Sequence, residues 1–418
     1  MTMTETLQNR QDAGLLRAAL VEQLITDGAI STPRVEDAMR AVPRHEFTPG
    51  VDVETAYQDD VVRYQHDGDG VCVSSVSAPW MVAMMLEAAE ITPGMKVLEI
   101  GSGGYGAALL SHLVGGAGRV VSVDIDPQVA LRAMGGLAKS RYTPRVAVAD
   151  GAYGLARFAP YDRIIATMCS REVPRAWVEQ LTEAGRIVMP LEVRAGQQRI
   201  ISFDRDGDLL HARALFYGGF VRMRGVGAHR PHRVEFDDGG SVLELDDGDV
   251  PDEAELDDVL SSTAVEMPTG VTVAVGEPYD DLQLYLAVAL PRVANSLVLS
   301  DEAARGLPLP QRGFPVLAAG AGSIAYLTVR QISEGPAARF ELVACGLGPL
   351  AALAASELAG QVGFWEVNLR GAGDPEICIS SIGPVPEGFE DEHTIVRQHS
   401  TIHIAFPTAS EMSGGSGE

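Results

Sequence analysis

The stretch Leu98–Gly106, LEIGSGGYG, sets Gly101, Gly103 and Gly106 in GxGxxG spacing, just after an apolar run and just before a helical one. Glycines at such a place let the backbone turn sharply and approach a ligand without a Cβ in the way. Ser102 and Tyr105 lie inside the turn, and Glu99 stands two residues before its first glycine. Asp124, followed by Ile125, ends the next apolar run, where a carboxylate can accept hydrogen bonds from both ribose hydroxyls of a nucleoside cofactor. Asp150 and Gly151 end the third run; the acid there suits either an adenine amino group or a plain turn. The glycines alone fit NAD or S-adenosylmethionine. An acid at Glu99 and a first strand that begins only at Lys96 tilt the reading towards S-adenosylmethionine.

Other candidates have a structural reading beside the functional one. Ser77-Ala78-Pro79 before an apolar run is a good helix start, as are Asp126-Pro127 and Thr32-Pro33. His45 belongs to a turn that anchors the N-terminal region, and Cys169 reads as a small packed residue. Tyr105 either covers the cofactor or packs in its turn. The four cysteines, Cys72, Cys169, Cys345 and Cys378, form no CxxC pair, so neither a disulfide framework nor a metal site is expected.

These residues need a parallel sheet to hold them. KVLEIG, RVVSVD, RVAVAD, DRIIAT and RIVMPL read as successive buried strands, with helices over Ala107–Val114, Pro127–Ala138 and Val173–Leu181. Apolar strands alternating with helices predict a parallel α/β sheet covered on both faces. RIISFD and LLHARALF, split by Asp206-Gly207-Asp208, predict a closing hairpin. Upstream, helices are expected over Leu15–Ile25, after Thr32-Pro33 and over Pro79–Ala89, with a loop-rich stretch from Val42 to Ser77.

The chain has 418 residues, 46% hydrophobic and 21% charged, which suits a globular protein of more than one domain. The divisions read as residues 1–90, an N-terminal helical and substrate-loop region; 91–225, the cofactor-binding core; 226–262, an acidic linker or crossover; 263–408, a mixed α/β C-terminal domain for peptide recognition; and 409–418, a disordered tail. Removing everything beyond about Gly225 is expected to spare cofactor binding. Asp and Glu outnumber Lys and Arg by 57 to 32, a net charge of -25, which repels nucleic acid and anionic lipid and attracts a cationic partner. No apolar run is long enough for a membrane span and no secretory signal stands at the start, so a cytoplasmic location is expected.

Seven stretches in order resemble the protein-L-isoaspartate O-methyltransferase family: VPRHEF from Val42, AYQDD from Ala56, SSVSAPWM from Ser74, LEIGSGGYGAALL from Leu98, VVSVDIDP from Val120, ADG from Ala149 and GRIVMPL from Gly185. The resemblance covers approximately residues 13–225. It implies a Rossmann-like class I methyltransferase fold and S-adenosylmethionine as cofactor, leaving S-adenosylhomocysteine, with no metal. Glu99, Gly101, Ser102, Gly103, Tyr105, Asp124, Ile125, Asp150 and Gly151 would bind the cofactor, Ser77 would orient the substrate carboxylate, and Asp59 would hold the active-site loop. The glycine turn is one residue shorter than the family's usual form, and HDGDG replaces an apolar segment. The long C-terminal extension, with DLQLYLA from Asp281 and GSIAYLTVR from Gly322, is more similar to the branch that modifies ribosomally made peptides. That branch implies methylation of a peptide aspartate, closure to an aspartimide and, given the acidic surface, an Arg/Lys-rich precursor peptide as partner. The alternative is an isoaspartate repair enzyme with an accessory domain.

Overall fold

A computed structural model of the chain describes residues 3–68, 70–246, 251, 256, 258–380, 385–387, 389 and 393–407. The tail expected to be disordered, 409–418, lies outside the described residues. The N-terminal region runs α1 (Met3–Thr26), α2 (Pro33–Ala41), α3 (Val53–Ala56), the antiparallel pair β1 (Val62–His66) and β2 (Cys72–Val76), then α4 (Pro79–Ala89). Thr32 caps α2 with Pro33 in the first turn, as its sequence predicts. The stretch Val42–Ser77, expected as loop, instead carries α3 and the hairpin. Its strands are short and largely half-buried, so they lack the apolar run that would have marked them.

The central strands and helices follow as β3 (Lys96–Ile100), α5 (Tyr105–Val114), β4 (Arg119–Asp124), α6 (Pro127–Ser140), β5 (Arg145–Val148), β6 (Tyr161–Ala166), α7 (Arg175–Gln180), β7 (Leu181–Arg194), β8 (Gln197–Asp206) and β9 (Leu209–Tyr217). Strands β5, β4, β3, β6 and β7 lie side by side and parallel; β8 and β9 add the antiparallel hairpin. The fold is the Rossmann-like class I methyltransferase α/β architecture. The helix predicted over Val173–Leu181 is shorter, because Leu181 already pairs with Tyr161 as the first residue of β7. Along β7, Ile187 and Met189 pack into one core and Val188 into the opposite one, which is why the strand is apolar throughout.

The remainder comprises β10 (His232–Phe236), β11 (Ser241–Leu245), β12 (Val265–Ala274), α8 (Asp280–Ala289), β13 (Val293–Ala294), β14 (Ser296–Val298), α9 (Ala303–Gly306), β15 (Val316–Gly320), β16 (Ser323–Gln331), β17 (Arg339–Leu347), α10 (Ala351–Asn368), β18 (Glu376–Ser380), β19 (His393–Val396) and β20 (Thr401–Ala405). Residues 226–262, expected as a linker or crossover, carry β10 and β11, which join β14 in a three-stranded sheet. Leu243 and Phe236 bury on its inner face while Glu235 and Glu244 stay towards solvent, so an acidic composition hid a period-2 pattern. A five-stranded sheet, β12-β17-β16-β15-β13, packs one face under α8 and α10 around Trp365 and turns the other towards the three-stranded sheet.

Residues 263–408, expected as a mixed α/β C-terminal domain, also contribute strands to the main sheet. Strand β18 pairs with β9, and β20 and β19 follow, so the main sheet has ten strands in the order β19-β20-β18-β9-β8-β7-β6-β3-β4-β5. Ile377, Ile379, Ile402 and Ile404 enter the same apolar cluster as Phe203 and Leu210 of the hairpin. An edge strand exposes a row of unpaired N–H and C=O groups, and here the chain's C-terminal strands cover it. Helix α8 adds a second tie, with Leu284 and Val288 facing the main sheet's core and Leu282 and Leu286 the extension's.

Burying a single isoleucine contributes about 1.5–3 kcal/mol, and truncation after Gly225 would remove five of them, Ile377, Ile379, Ile395, Ile402 and Ile404, from one cluster. The truncated chain is therefore expected to unfold at a clearly lower temperature than the full chain and to bind a hydrophobic dye. Thermal unfolding with dye titration checks this, and an unchanged midpoint would show that the extension folds apart from the sheet.

Candidate active site

Strand β3 lies between β4 and β6, so crossovers leave it in opposite directions and a crevice opens beyond its carboxyl end. The turn after it needs positive φ at Gly101 (94°) and Gly104 (85°). Space demands glycine as well: a Cβ on Gly101 would lie 2.5 Å from Thr167 Oγ1, and one on Gly104 would lie 2.9 Å from Ala133 Cα. Thr167 holds the turn from β6, donating its N–H to Ile100 O at 2.8 Å and its hydroxyl to Gly101 O at 2.7 Å. Across the crevice, Asp124 accepts from Ser102 N at 2.9 Å through one oxygen and from Asp126 N at 2.8 Å through the other. Burial pushes the Asp124 carboxyl up, and those two N–H groups oppose the rise.

Glu99 is buried at the end of β3 and accepts a hydrogen bond from the Ser122 hydroxyl. Burial pushes its carboxyl up to about 7, against the pull of Ser122 and with some help from the Asp124 charge. Gly106 faces it so closely that a side chain there would strike the carboxylate.

Two chambers flank the turn. The more polar one is lined by Ser74, Asp124, Ile125, Gly151, Met223 and Arg224 among others. The apolar one is lined by Ser77, Val82, Met85, Glu99, Tyr105 and Leu110 among others. Both include Ser75, Gly101, Gly103 and Thr167 in their walls. Of the residues singled out from sequence, Ser77, Glu99, Gly101, Gly103, Tyr105, Asp124, Ile125 and Gly151 thus line one continuous site.

Ser102 and Asp150 are not among the lining residues. Ser102 contributes its backbone N–H, and its buried hydroxyl has no hydrogen-bond partner among the described residues. Asp150 behaves as the turn residue: one oxygen accepts from Ala152 N at 3.0 Å and the other from Val226 N at 2.9 Å. Asp126 caps α6 through Gln128 N, as expected.

Ser77 does not cap α4. The capping position is Ala78, and the helix's free N–H at Trp80 is taken by Asp59 Oδ1 at 2.8 Å. Asp59 therefore anchors the start of α4, the segment that carries Ser77, rather than facing the cleft. Behind it, the buried Arg44 guanidinium donates to Ala56 O at 2.9 Å and Asp60 O at 3.2 Å, and lies 5.2 Å from the centre of the Tyr105 ring. His45 takes the anchoring place expected of it, with Nδ1 2.8 Å from Tyr57 Oη. Cys169 is packed, and burial raises its thiol well above the ordinary range.

Sequence reasoning missed Thr167, Arg222 and Arg224. The last two follow the hairpin in FVRMRG, where the chain folds back: Cys169 N donates to Val221 O and Met223 N to Cys169 O, each at 2.8 Å. Two arginines at alternate positions were the available signal, but strand pairing alone aims them at the cleft.

The donor set fits S-adenosylmethionine: a cradle that admits only glycine, an unpartnered buried hydroxyl, a carboxylate at the end of β4 and an acid beneath the turn. The raised Glu99 carboxyl makes a pH prediction. The folded state binds its proton more tightly than the unfolded chain, so stability falls as pH rises from about 4.5 to about 7 and levels off above. The loss amounts to about 3 kcal/mol. Glu99→Gln should flatten that slope in urea unfolding of the ligand-free protein at pH 5 and pH 8; equal slopes in both proteins would contradict the assignment.

Residues 16–223 match the family model for protein-L-isoaspartate(D-aspartate) O-methyltransferase. The chain is 38% identical over 208 residues to the protein-L-isoaspartate O-methyltransferase of Pyrobaculum islandicum, covering 49% of this chain and 97% of that one. With the enzyme of the same name from Methanopyrus kandleri it shares 40% identity over 215 residues, 50% of this chain and 91% of that one. Among solved structures it is similar to one described as a protein-L-isoaspartate O-methyltransferase, at 25% identity over 57% of this chain and 90% of that one, with a TM-score of 0.47.

Proposed function

The chain belongs to the protein-L-isoaspartate O-methyltransferase family of S-adenosylmethionine-dependent carboxyl methyltransferases, and from that premise we propose that it esterifies the free carboxylate of an isoaspartyl residue in a peptide or protein. The single observation that carries this reading is the junction of the two chambers. There the family's glycine turn and acids meet the Ser77 loop, and relatives of that name align over nearly their whole length.

When bound, S-adenosylmethionine supplies a methyl group on a positively charged sulfur. A substrate carboxylate held at the junction of the chambers would take that methyl group as its ester, and Gly101, Gly103, Asp124 and Ile125 would hold the cofactor that supplies it. The nucleophile is already ionised at neutral pH, so the chain's residues have no proton to remove and positioning supplies most of the acceleration. The half-buried Ser77 hydroxyl donates to that carboxylate and fixes its direction. Asp59, through Trp80 N, holds the loop that presents Ser77. Val82, Met85 and Leu110 keep the apolar chamber dry.

A second reading has its own observation. Residues from Val226 onward contain 30 of the 57 acidic side chains but only 9 of the 32 basic ones, so the extension outside the family match carries most of the negative charge. That asymmetry favours a dedicated cationic peptide, recognised by the extension and methylated on an ordinary aspartate. The following backbone nitrogen would then attack the ester, expel methanol and leave an aspartimide.

Mass spectrometry separates the two readings: matched peptides with aspartate or isoaspartate are incubated with enzyme and S-adenosylmethionine. Methylation confined to isoaspartate supports the first. A methyl gain on normal aspartate, followed by net loss of one water, supports the second. No methyl transfer to either would overturn both. Ser77→Ala should lower kcat by about tenfold to a hundredfold, the worth of a hydrogen bond to a charged group, while cofactor affinity measured by calorimetry stays unchanged. A parallel loss of cofactor affinity would place Ser77 in the cofactor site instead.

A further inference from the structure

Beside the polar chamber lies a small, tightly filled recess lined by Cys169, Arg171, Glu192, Arg222, Met223 and His229 among others. Arg222 and Met223 line both spaces, so the two adjoin at the Arg222 side chain. Glu192, on β7, is buried to 1% exposure, with Oε2 3.1 Å from Arg222 Nη2 and Oε1 3.6 Å from Arg171 Nε. Asp246, just past β11, meets the same cluster from the extension. It accepts from His229 Nε2 at 3.0 Å and from Gly196 N at 3.2 Å. Arg171 Nη1 donates to His229 Nδ1 at 3.1 Å, which fixes the neutral tautomer with its proton on Nε2.

Glu192, His229 and Asp246 bring ligand atoms within 4.8 Å of one another, a spacing that would suit a metal ion. Two guanidinium groups at the Glu192 carboxylate already supply the positive charge an ion would bring, and both nitrogens of His229 are engaged. The group left open towards the cleft is the Arg222 guanidinium, which suits an anion. Burial and the neighbouring Asp246 push Glu192 up to about 7. Burial pushes Asp246 up as well, yet hydrogen bonds, including those from Glu192 and His229, with the Arg171 charge draw it below the usual carboxylate range.

We propose that Arg222, seated on buried Glu192 at the rim of the cofactor cleft, forms a subsite for a second carboxylate of the peptide substrate, an acidic side chain flanking the residue that is methylated. The inference rests on the peptide carboxyl methyltransferase reading. Arg222 lines the polar chamber whereas Ser77 lines the apolar one, so the carboxylate at Arg222 is distinct from the one at Ser77. Its backbone is clamped on both sides, at Val221 O and Met223 N, which fixes the root of the side chain. The side chain keeps 35% of its surface open, and Glu192 engages only part of the five N–H donors of a guanidinium. The remaining donors match the planar, two-oxygen geometry of a carboxylate. Asp246 acts as a positioning residue, through which the extension tunes a site in the methyltransferase half.

The test uses the full chain and two synthetic isoaspartyl peptides, identical except that the residues flanking the isoaspartate are Glu in one and Gln in the other. Peptide affinity is measured by calorimetry in the presence of S-adenosylhomocysteine, and KM and kcat by methyl transfer. The wild type should bind the Glu peptide about tenfold tighter, with the difference in KM rather than kcat. Arg222→Gln should abolish that preference with unchanged affinity for S-adenosylhomocysteine, and Arg222→Lys should restore part of it. Asp246→Asn should weaken the preference without touching cofactor affinity. A wild type without preference, or an R222Q variant that keeps it, overturns the proposal. An R222Q variant whose affinity for S-adenosylhomocysteine falls while the peptide preference persists assigns Arg222 to the cofactor, which also overturns it. Discrimination in binding without methyl transfer to either peptide would leave the subsite standing and sink the functional reading beneath it.

Discussion

At the carboxyl end of β3 the backbone must reverse within a few residues while an acid is held beneath it. Positive φ at Gly101 and Gly104, the close approach of Thr167 and Ala133, and the Glu99 carboxylate under Gly106 leave no room for side chains there. The turn stays in place because β3 is pinned between two parallel neighbours, with Gly101 N donating to Val123 O and Thr167 N to Ile100 O, both at 2.8 Å. From that fixed point come the Ser102 N–H that Asp124 accepts, the position of Asp124 opposite it and the wall that both chambers share. A buried, partly protonated acid below the turn costs stability, which is acceptable where a cationic cofactor is to be received.

The substrate side is built differently, by a chain of anchors. Arg44 clamps the carbonyls of Ala56 and Asp60 and lies over Tyr105, and among the described residues it hydrogen-bonds no carboxylate. Burial lowers its pKa, and the surrounding Tyr105 and Asp59 oppose that. The loop it clamps presents Asp59 to the first turn of α4, and α4 follows directly on Ser77. The glycine turn and the serine loop thus share a ring, Tyr105, that packs against the clamp on one side and lines the apolar chamber on the other.

The extension is part of the same sheet rather than an appendage. Its last strands close the open edge at β9, its helix α8 fills the groove between two cores, and Arg194 donates to Val288 O and Leu290 O at 3.2 and 3.0 Å. Asp246 carries that attachment to the cleft, meeting Glu192 and His229 beside Arg222. An acidic extension reaching the cleft through one buried carboxylate gives it a route to influence which peptides are accepted.

Sequence alone determined the parallel core and the cofactor turn, because their signals are local. Apolar strands buried on both faces, glycines at positive φ and an acid at a strand end each occupy a few consecutive residues, and LEIGSGGYG and VVSVDIDP carried them unaided. The capping roles of Thr32 and Asp126 were legible for the same reason. Tertiary structure decided what depends on distant pairing. Asp59 took the helix-end N–H for which the Ser77 motif offered a cap, because a loop folded onto α4 from twenty-one residues upstream. Asp150 spent both oxygens on backbone once Val226 arrived beside it. Arg222 and Glu192, thirty residues apart, became partners only when the chain after β9 returned along Cys169. The C-terminal strands joined the main sheet because β9 offered an unpaired edge, and hydrogen-bonding capacity at an edge leaves no mark in composition or periodicity.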